Sequence, residues 1–137
     1  MMLPRVENWE RLLASAIDTA RAKPFVWGVH DCPTFAFETR MILTDGEDIA
    51  ALWRGRYTTA LGGARVMRRL GWASLEDMGC ALLGEPRPGV LLAQRGDIVL
   101  PDTGLGFGIC NGASAVGMAP AGLVTVPLTA CRRAWRV

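Results

Sequence analysis

An α+β fold, with helices first and a small, mainly antiparallel sheet after them, is what this sequence predicts. Three observations carry that expectation. As far as Gly84, apolar residues recur at helical spacing between capping residues. After Glu85-Pro86-Arg87-Pro88-Gly89 the chain turns into short β-type runs punctuated by Gly, Pro and Asn. The length, 137 residues, suits one hydrophobic core, and neither repeat nor linker divides it, so a single domain spanning 1–137 is expected.

Trp9, Leu12, Leu13, Ala16, Ile17 and Ala20 form one apolar face, with Asn8 as the expected N-cap and Pro24 just past the end. Residues 24–30 are too broken for a helix and read as an entry loop. A second helix should begin at Asp31, whose carboxylate can accept from first-turn N–H groups, while Pro33 suits a turn that needs no donor. Cys32, Phe35, Ala36, Thr39 and Ile42 follow one face, and Thr44-Asp45-Gly46 should end it. A shorter helix is expected from Thr59 to Leu70, stopped by Gly71. Ser74-Leu75-Glu76-Asp77 resembles a capping box opening a helix that Gly84 closes. The expected strands are Ile98-Val99-Leu100, Phe107–Cys110, Leu123–Val126 and Ala134–Val137. Helices followed by strands argue for α+β rather than alternating α/β.

Half the residues are hydrophobic and a fifth charged, an ordinary globular balance. A formal net charge of +2 gives no footprint for nucleic acid. Lys23 is the only lysine, so the positive charge is nearly all arginine, the side chain suited to packed, bidentate contacts. Met1-Met2-Leu3-Pro4-Arg5 meets charge at once and does not read as a signal peptide, and no apolar run is long enough for a membrane span. Cys32, Cys80, Cys110 and Cys131 form no CxxC pair, so no metal ligand set and no cofactor are expected.

Chemistry concentrates in Trp27-Gly28-Val29-His30-Asp31-Cys32. A cysteine in the first turn of a helix meets unpaired N–H groups and the positive end of the helix dipole, which favour thiolate. On that ground Cys32 should be alkylated faster than Cys80, Cys110 or Cys131 if solvent reaches it. A nucleophile also needs a general base within hydrogen-bond reach. His30 is the one histidine in the chain. Cys32 and His30 are therefore the candidate catalytic residues. Each has a plainer alternative: Cys32 as a small apolar residue packing the helix start, His30 as a loop residue bonded to backbone.

Pro24-Phe25-Val26-Trp27-Gly28, followed by Asp31-Cys32 and an apolar helix, resembles the nucleophile segment of the NlpC-type cell-wall peptidases. In those papain-like enzymes an aromatic-Trp-Gly motif leads into Asp-Cys at a helix start. Arg95-Gly96-Asp97-Ile98-Val99-Leu100 is similar to their Gly-Asp strand. Gly106-Phe107-Gly108-Ile109 stands where they carry a His-Val-Gly-Ile type strand. These pieces run in the family's order between residues 9 and 126. The resemblance implies a single papain-like, NlpC-like domain with Cys32 as nucleophile. It places the family's catalytic base at Gly106, and glycine accepts no proton.

A short phage-encoded branch of the same superfamily is similar over nearly the whole chain. It shares Trp-Gly-x-His-Asp-Cys, Arg-Gly-x-Tyr (Arg54-Gly55-Arg56-Tyr57), the Arg-Gly-Asp strand start and an Ala-Trp-Arg-Val ending (Ala134–Val137). That likeness implies a prophage or tail-module setting, with other tail or baseplate proteins as partners and the virion, or the host cytoplasm during assembly, as location. Arg54, Arg56, Arg68 and Arg69 serve either as an interface or as a solvated face. Three functions follow: a structural or assembly component of a tail tip or baseplate whose papain-like site is degenerate; an active cysteine hydrolase cutting peptidoglycan peptides or an amide, with His30 as improvised base; or a thiol or metal site built from distant cysteines.

Overall fold

In the computed structural model of the chain, which describes residues 3–102 and 106–137, four helices pack on a five-stranded antiparallel sheet. The charged opening segment begins on Met1 and Met2, which lie outside the described residues. Among the described residues no helix is long and apolar enough to cross a membrane.

Helix α1 (Trp9–Ala22) buries Leu13, Ile17 and Ala20. Asn8 occupies the expected N-cap position but makes no side-chain capping bond. The centre of the molecule is α2 (Cys32–Thr44), which packs on α1, on the sheet and on a 3-10 turn at Ile49–Leu52. Asp31 caps it as expected, accepting from the Thr34 N–H at 3.2 Å, with Pro33 in the first turn. Because α2 is covered on several sides, its burial does not follow one stripe. Phe37 and Leu43 are buried, whereas Ile42, expected on the inner face, is 40% exposed. Thr39 and Thr44 are buried with their hydroxyls donating back to the Phe35 and Arg40 carbonyls, at 2.7 and 2.8 Å. Asp45 ends the helix with φ 51°.

Thr59 caps α3 (Ala60–Arg69) by accepting from the Gly62 N–H, and Ser74 caps α4 (Leu75–Leu83) by accepting from the Asp77 N–H, each at 3.0 Å. Both helices fall within a residue of their expected bounds. Gly79 matters on α4: a Cβ there would run into the buried Trp135 ring, so the glycine lets the helix lie on the sheet.

The strands are β1 (Ile98–Pro101), β2 (Gly108–Cys110), β3 (Ser114–Ala119), β4 (Gly122–Pro127) and β5 (Cys131–Trp135), in the order β4-β3-β2-β1-β5. Strand β3 was not legible in the sequence. Its run Ser-Ala-Val-Gly-Met-Ala has little β-propensity, and it becomes a strand by pairing with both β2 and β4. The last strand starts and ends earlier than expected, and a register shift beside Pro101 places an irregularity in it. Between the layers, four buried rings touch edge to face in a line: Trp53 on Phe37, Phe37 on Phe107 (both 5.6 Å), and Phe107 on Trp135 (5.9 Å).

Candidate functional site

The Trp27-Gly28 turn enters α2 through Asp31, and Asp31 organises what surrounds it. Its fully buried carboxylate accepts from the Gly28 N–H at 2.9 Å, from the Thr34 N–H, and from the Tyr57 hydroxyl. Gly28 has φ 77°, and a Cβ on it would strike the Tyr57 carbonyl. Its own carbonyl accepts from the Gly55 N–H at 2.8 Å. Arg54 braces the same segment by bonding Glu38 at 2.9 Å and Asp48 at 2.7 and 2.8 Å. The Trp-Gly-x-His-Asp-Cys and Arg-Gly-x-Tyr segments are thus two sides of one joint. Tyr57 is the site residue that sequence reasoning missed; being the only tyrosine, inside a segment already singled out, was the available signal.

Cys32 sits in the first turn of α2, as expected, and is partly exposed to a cleft of about 470 Å³. The lining is mostly apolar and aromatic, with Phe25, Trp27, Met67, Trp72, Met78 and Met118 among its residues. Across from the sulfur stands Gly106, with φ 90°. A Cβ built on it would overlap Cys32 Sγ and lie 3.0 Å from Cys32 Cβ. The position therefore faces the thiol but has no room for a side chain.

Electrostatics run against a thiolate. Burial, and then the Asp31 charge beside it, push the Cys32 thiol from 9.0 up to about 12. Desolvation and a like charge outweigh whatever the helix start offers. This runs against the expectation that Cys32 is the most reactive thiol, and Cys80 is the most exposed of the four cysteines. Burial and the bond to Asp31 also raise the Tyr57 phenol, so it stays a donor and not a base.

His30 lies elsewhere. Its ring is buried, with Nδ1 3.2 Å from the Pro24 carbonyl and its edge against Phe35. It borders a separate cavity of about 230 Å³ between α1 and α2, together with Leu12, Thr19, Glu38 and Ile42. Cys32 does not line that cavity, and His30 does not line the cleft. The two candidate catalytic residues are two positions apart in sequence and face different spaces.

The Arg-Gly-Asp strand start and the chain's last residues meet in a second joint. Asp97, also fully buried, accepts from Arg5 Nη2 at 3.1 Å, Arg87 Nε at 2.7 Å, and the N–H groups of Gln94 (2.9 Å) and Val137 (3.1 Å). Arg5 further donates to the Val137 and Arg95 carbonyls and stacks on Trp9. Neither Asp97 nor its arginines line the cleft. Cys110 and Cys131 are buried in the sheet, Cys131 with its thiol raised to about 11, chiefly by burial. Among the described residues no group of three His, Cys, Asp or Glu side chains is placed to hold a metal ion.

The chain belongs, over residues 4–137, to the family described as a domain of unknown function (DUF6950). No curated protein and no solved structure matches it.

Proposed function

We propose that this protein is a non-hydrolytic relative of the NlpC-type, papain-like peptidases, serving as a structural or assembly component of a phage or phage-derived tail tip or baseplate. The observation that carries the reading is Gly106 packed against Cys32. Where the sequence resemblance asks for a histidine, there is a residue that takes no proton, at a backbone angle and spacing that leave no room for one. A working hydrolase must hold a thiolate and later return a proton to the leaving amine. Here the thiol is held protonated, the nearest carboxylate is occupied by three donors, and the lone histidine borders another cavity. General acid–base help is worth about a hundred- to ten-thousand-fold, which separates an enzyme from background. What remains is a shaped cleft on a firm scaffold, suited to holding a partner in a tail assembly. The tail setting itself rests on the likeness to the phage branch.

Wild type, Cys32→Ala and His30→Ala should be compared on muropeptides and on a generic amide. No turnover attributable to Cys32 is expected. Turnover lost in both variants would establish a hydrolase and sink the proposal. In parallel, purified tails should contain the protein; finding it free in the lysate and absent from tails would make it an assembly chaperone instead.

A further inference from the structure

We infer that the cleft in front of Cys32, together with the arginine-bearing rim of α3, holds an acidic segment of a partner protein that places one aromatic or large apolar side chain inside. This inference rests on the non-hydrolytic reading and names what the cleft would bind. The cleft's volume of about 470 Å³ lies in the range of pockets that take a compact ligand group, about 300–1,000 Å³. Its floor offers no free charge: Asp31 is buried and fully engaged, and the Cys32 thiol is neutral. Such a floor selects an uncharged apolar group.

Charge enters at the rim. Ala60, Gly63, Ala64, Met67 and Arg68 line the cleft at i, i+3, i+4, i+7 and i+8, so one stripe of α3 forms a wall. The neighbouring stripe carries Leu61, Arg65 and Arg68, with Arg69 beyond. All are exposed, Leu61 at 62%. Helix α3 contains no acidic residue, and no acidic partner is described for these arginines. On the facing wall, α4 begins with Glu76 and Asp77, but Glu76 pairs with Arg133 at 3.3 Å on the side of β5. The rim of α3 is therefore positive beside an apolar hollow, with an exposed leucine continuing the apolar contact outward. Complementary chemistry is an apolar anchor flanked by carboxylates on an extended chain. A net charge of only +2 over the whole protein argues against a nucleic-acid backbone as the occupant.

The test uses the full chain and three blocked pentapeptides: tryptophan flanked by glutamates, tryptophan flanked by lysines, and alanine flanked by glutamates. Titration calorimetry at low salt should show the first binding at least tenfold more tightly than either of the others, and weakening as salt is added. Arg65→Glu combined with Arg68→Glu should remove the preference for glutamate flanks. Ala64→Trp, filling the cleft from an exposed helix position, should abolish binding. Both variants alter exposed side chains, and their unfolding midpoints should match wild type, which separates lost binding from lost fold. Indifference to the flanking charge, no binding of any peptide, or displacement of the first peptide by a single-stranded oligonucleotide would overturn the inference. Each of those results leaves the non-hydrolytic reading standing. A muropeptide cleaved in the same cell would instead overturn that reading.

Discussion

Asp31 and Asp97 are both completely buried carboxylates, and each ties together two segments that stand out in the sequence, yet they are compensated in opposite ways. Asp97 holds two guanidinium groups as well as two backbone N–H groups, and it closes the chain by bringing Arg5 and Val137 to the head of β1. Asp31 has no cation among its described partners; two N–H groups and a phenol satisfy it, and it borders the cleft. The first is a clamp that needs its charge. The second is a positioning joint whose charge adds to burial in raising the neighbouring thiol. An Asp-Cys pair can therefore persist at a helix start because the turn and Tyr57 require the aspartate, independently of any chemistry at sulfur.

The largest expected effect tests the contrast directly. Asp97→Asn leaves Arg5 and Arg87 poorly exposed beside an uncharged partner, a loss of about 3–5 kcal/mol, enough to threaten the fold. Asp31→Asn removes a charge that neutral donors surround and should cost less, about 1–3 kcal/mol. Urea unfolding at neutral pH reads both. Equal losses, or the reverse order, would break the distinction between clamp and joint.

A smaller effect is expected at the wall facing the thiol. Gly106→Ala must hold a side chain at φ 90° and push against Cys32, at a cost of about 1–3 kcal/mol. Removing the sulfur with Cys32→Ala should recover part of that cost, while the backbone penalty remains. A double-mutant cycle showing no coupling between the two positions would mean that the contact does not constrain the site.

The last effect emerges only at alkaline pH. The folded state holds the Cys32 proton more tightly than the unfolded chain does, since the thiol rises from 9.0 to about 12. That contribution is complete below pH 9.0 and drains away as pH climbs towards about 12. Tyr57, raised on the same side of the molecule, acts in the same sense. Thermal unfolding midpoints should fall across this window, and Cys32→Ala should make the decline shallower. An unchanged slope would show that the buried thiol is not part of the alkaline weakness.

Local signals in the sequence proved the most legible. Asp31, Thr59 and Ser74 cap their helices because each oxygen satisfies an N–H three residues on. Gly84 closes α4 at φ 87°, which glycine adopts without a Cβ penalty. Asn8 shows the limit of the rule, since a suitable residue in the right place makes no capping bond. Strand β3 was hidden because its small residues carry no pattern of their own. At the site, the helix start and the lack of a base at Gly106 could be read in advance. The neutrality of the thiol could not, because it comes from burial and from the orientation of the neighbouring carboxylate.

The α+β class, the positions of the four helices, the placing of Cys32 in a first turn and the glycine at 106 follow from the residues read in order. Periodicity, caps and turn residues act within a few positions along the chain, and one dimension suffices to read them. It takes the packed layers to bring Tyr57 to Asp31 from 26 positions away, Arg5 to Val137 across 132, and to turn His30 and Cys32, two residues apart, towards different cavities. Those outcomes depend on which surfaces the packed layers bury, and burial sets both the partners of a carboxylate and the proton on a thiol.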